Sequence, residues 1–259
     1  MKERIITAIC LLAVVIPVVA LGGYWFMMLI LIAAATAALE MVNMHHSLIE
    51  VPVWIKGMPL IATLGIVWVQ NIWVAWIILG VYLIFLMIVY AWKKTNIKTT
   101  SFYTIAVVYI AFSFRALLEI RAHSLVLFIL LITTVILTDS AAYFAGRCFG
   151  KHKLAPKISP KKTIEGAIGG WLVGAGFAIA FGLHNSLFTQ NWILIVLAVG
   201  LPILSQIGDL VASAFKRHYG IKDYGKIFPG HGGVMDRIDS QMLAAILIYA
   251  IILIGGVAS

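Results

Sequence analysis

Charge is scarce in this chain. Asp, Glu, Lys and Arg make up 11% of its 259 residues, and only ten of these are acidic, against a hydrophobic fraction of 63%. That balance excludes an ordinary soluble domain and fits a polytopic membrane protein. With no soluble basic domain, nucleic acid is excluded as a partner. The two cysteines, Cys10 and Cys148, lie far apart in or beside apolar segments, which excludes a disulfide framework. No repeat of fixed period and no low-complexity linker divides the chain, so residues 1–259 are read as one membrane domain.

What the chain has instead is long apolar runs. Read as spans of about 17 to 25 residues, they predict an all-α fold with nine transmembrane helices, at 5–21, 24–43, 58–70, 71–92, 101–120, 124–145, 165–186, 192–215 and 237–257. Only "QN" at 70–71 separates the third from the fourth. The first run follows Lys2 and Arg4 in the manner of a signal peptide and is read as a retained span.

If the nine spans alternate, one face receives Lys2, Arg4, Lys56, Lys93, Lys94, Lys98, the six basic residues of 146–164, Lys216, Arg217, Lys222, Lys226 and Arg237. The other face receives Arg121 alone, and Arg115 falls within a span. The positive-inside rule then places the N-terminus and the basic loops in the cytoplasm. Such a face serves topology, attracts anionic headgroups or binds a polyanionic substrate.

The polar residues gather late in the chain. Residues 1–120 are nearly featureless spans, read as a lipid-facing vestibule or a subunit interface, and 121–259 carry the chemistry. "SQIGDLVASAFKR" at 205–217 puts Asp209, Ser213 and Lys216/Arg217 on one helical stripe. An Asp209 pair with Lys216 or Arg217 that ends the span is the structural alternative. The segment "HYGIKDYGKIFPGHGGVM" at 218–235 follows. Its Gly230, Gly232 and Gly233 let backbone N–H groups approach an anion, beside Lys222 and Lys226. "DRIDSQ" then opens the last span, with Asp236 able to cap it and Asp239 in its first turn. Taken together, Asp209 and Asp236 are carboxylates at membrane-proximal helix ends joined by a loop of lysines and glycines. Oxygen ligands of this kind suit Mg²⁺ and substrate phosphates, and the basic residues suit charge stabilisation in a phosphoryl-type displacement.

The string S-x2-K-R-x4-K-D-x5-P-G-H-G-G-x2-D-R-x-D, from Ser213 to Asp239, resembles the signature of the phosphatidate cytidylyltransferases and matches it at every defined position. The resemblance implies an enzyme that takes CTP and phosphatidic acid and releases CDP-diacylglycerol and pyrophosphate, with Mg²⁺ and room for a second cation such as K⁺. It implies Asp209 and Asp236 as the metal-binding carboxylates, and Lys216, Arg217, Lys222, His231 and Arg237 around the phosphates. Asp223 and Asp239 would orient those groups, with Ser213, Gly232 and Gly233 at the substrate. It further implies a homodimer in the inner or plasma membrane.

A second cluster, 138–166, is similar to the family as well. Asp139, Tyr143 and Arg147 are spaced by four on one helical face and are read as substrate-binding, with an Asp139–Arg147 structural contact as the alternative. "GRCFGK" at 146–151 is not a P-loop: three residues, not four, separate its glycines, and His152 stands where Ser or Thr should bind Mg²⁺. "SPKKTIEG" puts Lys161 and Lys162 before Thr163 and Glu165 in capping geometry, and with the family in view it is a nucleotide-binding loop. Arg115 and Glu119 neutralise each other at i, i+4, and His45, His46 and Glu50 are read as a surface loop.

Two other functions remain at this stage. A cation- or proton-coupled transporter using Asp139 and Asp209 as intramembrane carboxylates leaves the lysine and glycine loop without a purpose. The other is a different lipid-phosphate transferase, such as a prenyl-phosphate sugar transferase or a CDP-alcohol phosphotransferase, and the "DGxxAR…GxxxDxxxD" pattern expected of the latter is absent.

Overall fold

A bilayer offers backbone N–H and C=O groups no water, so a chain this apolar has to satisfy them within each crossing segment, and helices do so. The computed structural model describes residues 2–46, 51–230 and 232–257. Among them are nine helices: α1 Lys2–Leu21, α2 Gly23–His46, α3 Val53–Trp68, α4 Ile72–Ala91, α5 Ile97–His123, α6 Leu125–Phe149, α7 Ile164–His184, α8 Asn191–His218 and α9 Met235–Leu253. Six of these, α2 and α4 to α8, are long and apolar enough to cross a membrane. The protein is therefore a polytopic all-α membrane protein. Among the described residues the named strands form a two-stranded antiparallel ribbon of β1 Lys153–Ala155 and β2 Ser159–Thr163.

The helices divide into two compact units, Met1–Leu118 with Tyr219–Arg237, and Glu119–His218 with Ile238–Ser259. The polar segment after α8 thus folds with the N-terminal helices.

In the first unit α4 shows how an all-apolar helix chooses its faces. Ala75, Leu79, Tyr82, Leu86 and Val89 are buried. Trp73, Ile77, Val81, Ile84 and Met87 are exposed on the opposite stripe, where acyl chains take the place of protein. The "QN" break is a real helix boundary, since the Asn71 side chain accepts from Trp73 N at 2.8 Å and caps α4. The carbonyls left at the end of α3 need donors, and the buried Arg115 supplies them, donating to Ile66, Val69 and Gln70 oxygens. Beyond its spacing with Glu119, the Arg115 charge therefore has a task on another helix.

In the second unit α7 buries small residues, Gly166, Gly170, Gly174, Ala178 and Gly182, every fourth position. A Cβ on Gly170 would stand 2.6 Å from the Thr138 carbonyl oxygen, and one on Gly174 would stand 2.9 Å from Pro202 Cγ. The stripe lets α7 approach α6 and α8 almost backbone to backbone, which brings the ribbon between α6 and α7 to the end of α8.

Candidate active site

The second unit assembles a cluster around Asp209 on α8. Its Oδ2 lies 2.6 Å from Lys162 Nζ on β2, and its Oδ1 accepts from Ser213 Oγ at 3.3 Å, one helical turn on. Both charged side chains of the pair are a little over a quarter exposed. Asp139 of α6 pairs with the Ser240 hydroxyl and lies in the field of Asp209 and Lys162. Lys216 Nζ reaches Asp239 Oδ2 at 4.0 Å, and Arg217 Nε donates to the Ile158 carbonyl at 3.3 Å. The expected alternative, a pair between Asp209 and Lys216 or Arg217, is therefore not what forms. Seven residues of helix separate Asp209 from Lys216 by roughly 10 Å, whereas the ribbon delivers Lys162 directly to the carboxylate.

The ribbon is positioned by its own hydrogen bonds. Thr163 caps α7 through its hydroxyl, which accepts from Gly166 N at 3.1 Å. Glu165 holds the chain leaving α6 by accepting from Lys151 N at 3.0 Å and His152 N at 3.2 Å. Thr163→Ala is expected to lower stability by about 1 kcal/mol, with Thr163→Ser restoring most of it, read as the melting temperature in detergent. Activity lost beyond the unfolded fraction would assign Thr163 a second task at the substrate. On α6, Arg147 donates to the Tyr143 hydroxyl at 3.4 Å, and both side chains are exposed. Arg147 thus meets Tyr143, rather than making the Asp139 contact the spacing also allows. Lys161 is exposed on β2, next to Lys162 in sequence.

The first unit holds the other half of the signature. Phe228 N donates to Gly232 O at 2.9 Å, closing a tight turn in which Gly230 (φ +73°) and Gly232 (φ +84°) occupy the left-handed region. His231 lies outside the described residues. Asp236 belongs to the first turn of α9, and its Oδ2 accepts from Tyr224 N at 2.7 Å and Gly233 N at 2.9 Å. It therefore ties the loop back onto the helix start, where a simple cap was expected, and the Gly233 N–H expected to face an anion is used here. Asp239 lies one position beyond the first turn. Lys222 and Asp223 are exposed, and the Asp223 Cβ borders Gly232. Arg237 follows Asp236 on α9.

Sequence reasoning missed Glu40. This α2 carboxylate, 6% exposed, accepts from Val234 N through Oε1 and from Met235 N through Oε2, both at 3.0 Å. The available signal was an acid within the apolar run 24–43. His45 is also misplaced by the surface-loop reading. It is buried on α2, with Nδ1 2.7 Å from the Tyr219 hydroxyl and Nε2 3.0 Å from Thr99 Oγ1, and it stacks on Phe102. Burial pushes the Tyr219 phenol up, so it remains a neutral hydroxyl partner. The His46 side chain and Glu50 lie outside the described residues.

No group of three His, Cys, Asp or Glu side chains gathers among the described residues. A divalent ion that keeps its waters and binds substrate phosphates needs only one or two carboxylates. Asp209 fits that description: it is partly exposed and already draws the Lys162 ammonium to 2.6 Å.

Comparison with known proteins gives a consistent result. Residues 2–254 match the model of the cytidylyltransferase family. The chain is 34% identical over 247 residues to a phosphatidate cytidylyltransferase of Staphylococcus epidermidis, and 35% identical over 247 residues to one of Staphylococcus haemolyticus. It is 36% identical over 248 residues to that of Staphylococcus aureus strain COL. Each alignment covers 93% of this chain and 95% of the relative.

Proposed function

The chain belongs to the cytidylyltransferase family, and from that premise we propose how its two polar clusters divide the work. It is a nucleotidyltransferase that moves the cytidylyl group of CTP onto phosphatidic acid, giving CDP-diacylglycerol and pyrophosphate. The observation that carries this is the alignment with named phosphatidate cytidylyltransferases along 93% of the chain.

The chemistry asks little of a general base, because an ionised lipid phosphate is already a nucleophile at neutral pH. An oxygen of phosphatidic acid attacks the α-phosphorus of CTP, the bond from that phosphorus to the bridging oxygen breaks, and pyrophosphate leaves with the electron pair. What the protein has to supply is alignment and positive charge. Mg²⁺, when bound, neutralises triphosphate oxygens and sharpens the leaving-group character of pyrophosphate. Asp209 is the candidate carboxylate for it in the second unit and Asp236 the candidate in the first. The family resemblance allows a second, monovalent cation such as K⁺.

Lys162, Lys216 and Arg217 in one unit, and Lys222 and Arg237 in the other, are the basic groups assigned to phosphate oxygens. Lys222 is exposed on its loop, so its ammonium is open to an incoming triphosphate. Lys222→Ala is expected to raise the KM for CTP about tenfold with little change in melting temperature. An unchanged CTP dependence would leave Lys222 to membrane topology alone.

The seventeen basic residues grouped by the positive-inside count support loops that face the cytoplasm of a cell membrane, where CTP is found. A homodimer is part of the same proposal. The decisive experiment follows pyrophosphate release by the purified protein with CTP and Mg²⁺, with and without phosphatidic acid. Release that depends on the lipid is expected, and none with all three present would overturn the reading.

A further inference from the structure

We infer that Glu40, on the second helix of the chain, is a positioning residue for cytidylyl transfer, holding the start of α9 and the glycine loop in the geometry from which Asp236 acts. The inference rests on the reading of Asp236 given above.

A carboxylate within a membrane-crossing helix is costly unless it has a partner, and the partner indicates its purpose. The partners of Glu40 are backbone groups. Its two oxygens each accept one N–H, from Val234 and Met235, at 3.0 Å. These are the donors at the opening of α9, which have no acceptor within the helix and sit at the positive end of its dipole. Gly233 N, immediately before them, donates to Asp236 at 2.9 Å. Three successive N–H groups are therefore divided between two carboxylates, one remote in sequence and one local.

The glycines complete the seat. A Cβ on Gly225 or on Gly233 would run into Glu40 Oε1, so these positions leave room for this particular side chain as well as for any ligand. Packing alone does not account for Glu40, because an apolar residue would fill the same volume without desolvating a charge. What the acid adds is direction: two bonds from one rigid helix fix both the height and the rotation of the first turn of α9.

The test is Glu40→Gln in the full-length purified protein. Gln has the same shape, but its carbonyl oxygen accepts one N–H while its amide nitrogen opposes the other with a donor. The expected result is a kcat lower by about tenfold or more, with the KM for CTP close to wild type and the melting temperature in detergent lowered only by the cost of the one N–H left unpaired. Amide hydrogen exchange should accelerate in peptides covering 224–236 and stay unchanged elsewhere. Glu40→Asp, shorter but still charged, should retain an intermediate kcat. Wild-type kcat in the Gln variant overturns the inference. So does faster exchange throughout the protein with a larger fall in melting temperature, which would make Glu40 a stability residue only. A wild-type protein that releases no pyrophosphate sinks the assigned reaction instead, and the exchange comparison then still decides whether Glu40 sets the loop.

Discussion

Asp209→Asn is expected to reduce CDP-diacylglycerol formation by about a hundredfold or more while leaving the protein folded and inserted. The substitution is nearly isosteric. Asn keeps an oxygen that can accept from Ser213 Oγ, the 3.3 Å contact one turn along α8. What it removes is charge. The charged partner already in place is Lys162, 2.6 Å away and 27% exposed, and a pair this open to solvent contributes about 1 kcal/mol or less. Stability therefore changes little, and a large loss of turnover has to come from the reaction.

Lys162→Met separates two accounts of that loss. If Asp209 acts only by steadying Lys162, removing the lysine costs as much as removing the acid, and the double variant is no worse than either single one. If Asp209 binds the cation, Lys162→Met leaves the carboxylate in place. It then raises the KM for CTP more than it lowers kcat, and it leaves the dependence on Mg²⁺ intact. Full activity in Asp209→Asn removes it from the mechanism altogether.

The spans were legible because a bilayer imposes length and composition on every crossing segment. Even the weak signal at "QN" corresponded to a helix cap, because an Asn between apolar runs has few other uses there. The ribbon at 153–163 was harder to see. Two prolines and five lysines across 151–162 read as a loop, and only the close approach that the α7 glycines allow makes the ribbon part of the α8 site. The Lys162–Asp209 pair follows from that approach, and it displaces the intrahelical pair that spacing alone suggests. Glu40 was the least legible. Its bonds run to residues 194 and 195 positions away, and no local pattern encodes such a contact. An acid inside an apolar run announces that a partner exists without saying which one.

Asp236 ties the loop through its oxygen and, on the proposed reading, also brings charge to the reaction, and different substitutions separate the two. Its Oδ2 accepts from Tyr224 N and Gly233 N at 2.7 and 2.9 Å. Asp236→Asn keeps one carbonyl oxygen able to receive both N–H groups, so the loop should stay closed while the negative charge is lost. Turnover is expected to fall about a hundredfold or more, with loop exchange near wild type. Asp236→Ala removes the acceptor as well. It leaves two backbone donors short of a partner, at about 1–3 kcal/mol for each one that stays buried, so the melting temperature should drop and exchange across 224–236 should rise. If Asn and Ala lower turnover equally and only Ala opens the loop, the charge of Asp236 belongs to the chemistry and its oxygen to the fold. If Asn is fully active, the carboxylate is a loop tie and nothing more. Phosphate binding would then rest with the basic residues, and Asp209 would be the one candidate acid left for the cation.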